Sequence, residues 1–203
     1  MNFVIFDTEY TTWEGCIAKG WHGFQKKEIV QIAAIKVELD TLKVVDSFNC
    51  LVKPKINSVL SDYFINLTGI TNEQLRYEGR DFAVVYDEFE QFCLGSPCLC
   101  HSWGGGNITG TDGDILQENI KINNLNKNCG LRFCNIADWF ADRYKEKGIK
   151  VSKQSSGQIA SILGVEKDLE QLGLSQHNAF YDVYSILSGI KFLGSEGLAK
   201  LWL

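Results

Sequence analysis

The run Phe3-Val4-Ile5-Phe6 ends in two carboxylates one residue apart, Asp7 and Glu9, and no other stretch restricts the fold as much. Consecutive apolar residues without alternation over residues 2–6 describe a fully buried strand. Side chains two apart in a strand share a face, so Asp7 and Glu9 stand side by side. Like charges held that close raise each other's pKa unless a cation sits between them. Hard divalent cations take oxygen ligands of this type. The alternative for an isolated Asp-x-Glu is a solvated strand end.

The segments that follow define the sheet. Residues 10–27 form a loop rich in Gly and aromatic residues. In "EIVQIAAIKVELD", Ile35, Val37 and Leu39 alternate with Lys36, Glu38 and Asp40, which is strand behaviour. In "KVVDSFNCLVK", Phe48, Cys50 and Val52 alternate with Ser47 and Asn49, so the first three strands form an antiparallel meander. The period then changes. Phe82, Val85, Phe89 and Phe92 recur at helical spacing, "CLCHSW" is a short strand, "DGDILQENI" starts a helix, and "LRFCNIADWFADRY" reads as strand then helix. "GQIASIL" is helical, and a final amphipathic helix places Val183, Leu187 and Ile190 on one stripe. The expected architecture is α/β: a five-stranded mixed sheet, with three antiparallel strands followed by strand–helix units and helices on its faces.

At 203 residues and 45% hydrophobic, the chain can bury a core as a single domain, 1–203. A net charge of −5 provides no global field for a polyanion, so such a partner must be held by a few Lys or Arg residues or by metal ions. Seven cysteines in no repeating framework suit a reducing compartment. With no charged apolar leader and no run long enough to span a bilayer, the expectation is a cytoplasmic protein with no membrane partner.

Two further acidic places matter. In "QHNAFYDVYSIL", His177 precedes Asp182 by five residues, and Asp182 falls at the margin of the stripe that packs on the sheet. A charge there needs a cation or donor to compensate it. In "HSWGGGNITGTDGDILQENI", Asp112 and Asp114 compete. Ile115, Leu116 and Ile120 lie at helical offsets from Asp112, whereas the same offsets from Asp114 reach Gln117, Glu118 and Ile122. Asp112 is therefore chosen and Asp114 held in reserve, although Asp112 is also a good helix N-cap. "CLCH" lacks the paired spacing of a zinc site, and "WGGGN" lacks the Gly-Lys-Ser/Thr ending of a phosphate loop.

Together "FDTEYT", the Asp112 segment and "HNAFYD" resemble the three motifs of the DEDDh family of 3′–5′ exonucleases, which includes ribonuclease T, oligoribonuclease and the proofreading exonuclease subunit of bacterial replicase. "EIVQIAAIKV" and "LVKPKINSVLSDYFINLTGIT" resemble the family's supporting stretches, and the similarity runs through residues 2–192. The likeness is greatest to the branch with the histone-mRNA exonuclease and the bacterial sporulation inhibitor type. His177 lies five residues before the last Asp, as the His type requires; the sister subclass has a tyrosine where this chain has Asn178. The loop 10–27 is longer than in minimal members, and the stretch from Trp103 to Asp112 carries extra Gly-rich residues.

The resemblance implies an RNase H-like fold in which Asp7, Glu9, Asp112 and Asp182 hold two Mg²⁺ or Mn²⁺ ions and His177 is the general base. It implies a partner in single-stranded nucleic acid with a free 3′ end, shortened to nucleoside 5′-monophosphates, with a slight lean to RNA. It also places Leu67, Gly69 and Ile70 at the substrate; Thr8, His177 and Trp13, which closely follows the catalytic strand, are further substrate candidates. Trp21 and Phe24 join Trp13 as stacking candidates, with packing inside the loop as the alternative. Core packing is the rival for Leu67, Gly69 and Ile70. An inactive exonuclease-fold module that binds nucleic acid or a protein is the competing function, and a metal-binding structural domain is a third.

Overall fold

The computed structural model describes residues 1–101, 110–126, 130–151 and 153–202. Five strands, β1 (Asn2–Tyr10), β2 (Ile29–Glu38), β3 (Val44–Leu51), β4 (Cys98–Cys100) and β5 (Phe133–Asn135), form one sheet in the order β3-β2-β1-β4-β5. The meander is antiparallel, whereas β4 runs parallel to β1 and β5 parallel to β4. β1 is therefore central and covered on both faces, which is why its apolar run does not alternate.

The helices are α1 (Cys16–Lys19), α2 (Asp62–Thr68), α3 (Asn72–Glu78), α4 (Phe82–Cys93), α5 (Gly110–Ile122), α6 (Ala137–Glu146), α7 (Ile159–Leu163) and α8 (Ala179–Leu193). Phe3 and Ile5 of β1 pack with Ile35, Phe140, Val183, Ile186 and Ile190 on one face of the sheet. Val4 and Phe6 pack with Val85, Phe89, Ile115 and Leu116 on the other. Strand alternation thus separates the two helical layers: α6 and α8 on the odd-numbered side of β1, α4 and α5 on the even-numbered side. Gly189 allows α8 to come this close, since a Cβ there would overlap Ile159 and Phe140.

Two polar clamps set the ends of these helices. Asn119 of α5 accepts from Ile29 N (3.0 Å) and donates to Lys27 O (2.8 Å), which fixes α5 against the start of β2. Gln31 of β2 accepts from Ala179 N (3.0 Å), the first residue of α8, and also donates to Asn49 Oδ1 (2.9 Å). Next to β2, Glu28 is buried and accepts the backbone N–H groups of Lys55, Ile56 and Asn57. Cys98 and Cys100 fill the even-side core as small apolar side chains, the role that strand alternation assigns them. "WGGGN" and the other residues of 102–109 lie outside the described residues. Among the described residues, no helix is long and apolar enough to cross a membrane.

Candidate active site

The carboxylates converge at the end of β1, where the sheet opens. Asp7 and Glu9 project to the α8 side, and ligand oxygens of Asp7, Glu9 and Asp182 all lie within 4.8 Å of one another. Asp112 approaches from the opposite face. Its Oδ1 accepts from Thr8 N (3.1 Å) and from Thr8 Oγ1 (2.6 Å), so the residue between the paired acids anchors the acid of the other helical layer. A single pocket of about 420 Å³ is lined by Asp7, Glu9, Asp112, His177 and Asp182. Asp114 does not line it. The competition in the Gly-rich segment thus ends with Asp112 at the pocket, through a bond to Thr8 that spacing along the chain does not reveal.

Asp7, Asp112 and Asp182 are buried and Glu9 is half-buried. Among the described residues, none of the four carboxylates has an ion pair with Lys or Arg. The electrostatic consequence follows directly. Burial pushes the Asp7 carboxyl well above the usual range, and the charges of Asp112, Asp182 and Glu9 push it further. Glu9 is raised by burial and then by Asp182 and Asp112. Burial lifts Asp182 to about 7 against the pull of its Ser156 hydrogen bond, and lifts Asp112 to about 6 against its bonds to Thr8.

Ser156, in the 3₁₀ turn Ser156–Gln158, stands between two of the acids. Its Oγ lies 3.0 Å from Asp7 Oδ1 and 3.0 Å from Asp182 Oδ2. One hydroxyl carries one proton and can donate to only one carboxylate. The hydroxyl thus ties the two acids together without neutralising either of them. Asp182 Oδ1 is buried with no hydrogen-bond partner. The adjacent Gly157 leaves the room it needs, since a Cβ there would overlap Asp182 Oδ1. A cluster of hard oxygen donors with a vacant buried lone pair and unbalanced negative charge fits a divalent cation.

His177 lines the same pocket from the turn ahead of α8, with φ at 65°. Non-glycine residues seldom adopt that backbone, and they do so where surrounding structure enforces it. Asn178 follows as N-cap, its side chain accepting from Phe180 N (3.1 Å). Burial lowers the His177 pKa, so its imidazole is neutral and able to accept a proton at neutral pH.

The remaining expected positions divide. Thr8 and Leu67 line the pocket. Trp21 also lines it, with its ring held by a bond from Nε1 to Thr11 O (2.9 Å) and covered by Lys27 Nζ 4.5 Å from the ring centroid. Trp13 does not line it; it meets Phe24 edge-on at 5.9 Å, and Phe24 is exposed. Gly69 is the left-handed C-cap of α2, and Ile70 is buried in a small core with Leu60, Phe64 and Leu75. Ser156, Gly157 and Gln154 were missed by sequence reasoning. The only local signal in "QSSGQIASIL" is a capping box at Ser155 and Gln158, which announces a helix and says nothing of acids far away in the chain.

Known proteins share sequence and fold with this chain. Human 3′-5′ exoribonuclease 1 is 38% identical over 71 residues, 35% of this chain and 19% of that protein. The 3′-5′ exonuclease eri1 of Schizosaccharomyces pombe is 37% identical over 68 residues, 33% of this chain and 21% of that one. The matched stretch thus spans about a fifth of the length of these relatives. Among solved structures, the nuclease domain of 3′hExo, a DEDDh family member bound to rAMP, superposes with a TM-score of 0.66 at 23% identity, covering 95% of this chain and 91% of that one. Cell-death related nuclease 4 gives 0.68 at 22% identity, over 95% of this chain and 64% of the other. E. coli exonuclease I in complex with a dT13 oligonucleotide gives 0.67 at 16% identity, over 99% and 42%. At these identities the likeness establishes a shared RNase H-like fold. The family model described as Exonuclease (RNase T) matches residues 4–188, nearly the whole chain, and the protein belongs to that exonuclease family.

Proposed function

We propose that residues 1–203 act as one metal-dependent 3′–5′ exonuclease unit that shortens single-stranded nucleic acid from its 3′ end and releases nucleoside 5′-monophosphates. The observation that carries this reading is the trio of carboxylates within 4.8 Å, two of them buried and one with an unsatisfied oxygen. Asp7, Glu9, Asp112 and Asp182 would hold two Mg²⁺ or Mn²⁺ ions. When bound, the ions supply the positive charge that makes a phosphodiester susceptible to water.

The chain's own residues do the rest. Ser156 and Thr8 fix the orientation of the acids through the hydrogen bonds described above. His177, neutral at pH 7, takes the proton of the attacking water. Trp21 and Leu67 offer apolar surface to the terminal base, while Lys27 over Trp21 brings a cation to the pocket wall. The lean is to RNA, because the human relative sharing the matched stretch is named an exoribonuclease. A cytoplasmic setting suits a chain in which none of the six described cysteines is in a disulfide.

The test is incubation with matched 5′-labelled single-stranded RNA and DNA, in Mg²⁺ and in chelator. A 3′ ladder that appears only with Mg²⁺ supports the reading. Binding without shortening would reduce the protein to a nucleic-acid-binding module, and a ladder that survives chelator would remove the metals from the mechanism.

A further inference from the structure

The pocket explains how one nucleotide is cut but not how an acidic protein retains the rest of a polyanion. The cations are unevenly distributed. Four lysines, Lys145, Lys147, Lys150 and Lys153, fall within nine residues at the end of α6 and beyond it, in a chain of net charge −5. All four are exposed. Among the described residues none of them forms an ion pair, whereas neighbouring Arg143 is committed to Glu146 and Glu196. Cations left unneutralised on an acidic surface are free to exchange counterions for phosphates.

The same segment encloses an open recess of about 700 Å³. Ala141, Tyr144, Ile149 and Val151 supply its apolar lining, with Lys145 and Lys150 at its edge. Apolar surface beside cations is what a single strand needs, because bases seek stacking surface while phosphates seek charge. The recess is also tied to the catalytic pocket. Tyr144 OH donates to Gln154 Oε1 (2.9 Å), and Gln154, with Ser155 and Ser156 beyond it, lines the wall of the acid site. Tyr144 at the recess and Gln154 at the acid pocket thus join the two places through one hydrogen bond.

We propose that Lys145, Lys147, Lys150 and Lys153 and the recess beside them are the track for the body of the single strand, holding nucleotides on the 5′ side of the cut while the 3′ end occupies the acid pocket. The proposal rests on the exonuclease reading and is tested apart from it. Binding of a 5′-fluorescein 16-nucleotide single strand is followed by anisotropy in chelator over a range of salt. In a variant with Lys145, Lys147, Lys150 and Lys153 all changed to Gln, affinity at about 0.1 M salt is expected to fall roughly 10–100-fold, and the slope of log affinity against log salt to flatten by about 2–3, at ~0.7 per phosphate contact on a single strand. A matched variant changing Lys43, Lys121, Lys191 and Lys200 to Gln makes the same change in net charge elsewhere and is expected to stay within about twofold of wild type.

Unchanged affinity in the first variant, equal losses in both, or no binding by the wild type would each overturn the track. Turnover of the same oligomer in Mg²⁺ separates the two ideas. Binding that depends on the lysines without any shortening refutes the nuclease reading and leaves the track in place. Shortening by a protein whose binding ignores the lysines does the reverse.

Discussion

Replacing Asp182 by Asn should make the metal-free protein more stable while destroying its activity. The Asp182 carboxyl is 3% exposed, and its pKa is raised by burial from 3.8 to about 7. A folded-state value above the unfolded one means that the unfolded chain surrenders the proton first. The associated stability is fully present below about pH 4 and is lost as pH rises through about 7. At ~1.4 kcal/mol per unit, a rise from 3.8 to about 7 corresponds to about 4 kcal/mol as an upper figure. The neighbouring acids share that cost, so the gain expected from Asn at pH 8 is about 2–4 kcal/mol. For a chain of this length that is a rise in Tm of about 5–10 °C. The assay is thermal and urea unfolding in chelator at pH 8 and pH 4.5, with Mg²⁺ added back to the wild type. Mg²⁺ should recover much of the deficit in the wild type and little in the variant. A variant no more stable than wild type at pH 8, or equally stabilised at pH 4.5, would refute the argument that burial and mutual repulsion govern this carboxylate.

Changing Gly157 to Ala puts a methyl group against Asp182 Oδ1. Turnover should fall about 100-fold or more as the acid is displaced, with the circular dichroism spectrum unchanged. His177→Ala should abolish turnover yet leave Mn²⁺ binding, measured by calorimetry, within about threefold of wild type; near-normal turnover would remove the imidazole from the chemistry. Glu28→Ala withdraws the acceptor of three backbone N–H groups in a buried site and should cost about 3–5 kcal/mol in urea unfolding, with no effect on metal affinity.

Much of the architecture was legible because it is written in periodicity. The unbroken apolar run of β1 predicted a strand covered on both sides, and the helical layers on the two faces of the sheet supply that cover. Five of the helices follow from helical spacing in residues 82–193. The short helix α1 was not visible, since it starts from Gly15 in a left-handed conformation with no side-chain cap and spans four residues. Helices α2 and α3 were signalled by Ser61 and by the capping box at Thr71 and Gln74, signals that a reading built on apolar periodicity passes over. At the site, the Asp7–Glu9 pair and the His177–Asp182 spacing are local and could be read. The bonds of Ser156 to Asp7 and of Thr8 to Asp112 join residues 149 and 104 positions apart, and only folding brings them together. Ile70, placed at the substrate by resemblance with core packing as the rival, sits in a small core where its apolar side chain finds Phe64 and Leu75.

Because β1 takes its acids to a junction of two helical layers, and the third carboxylate of the trio arrives with α8 at residue 182, the acid cluster is absent from a growing polypeptide until α8 has formed. Until that last helix docks, Asp7 and Glu9 have neither their third carboxylate nor the nearby imidazole. On the proposed reading, the ability to cut depends on contact between the first strand and a helix far along the chain, and so reports that the two have packed together.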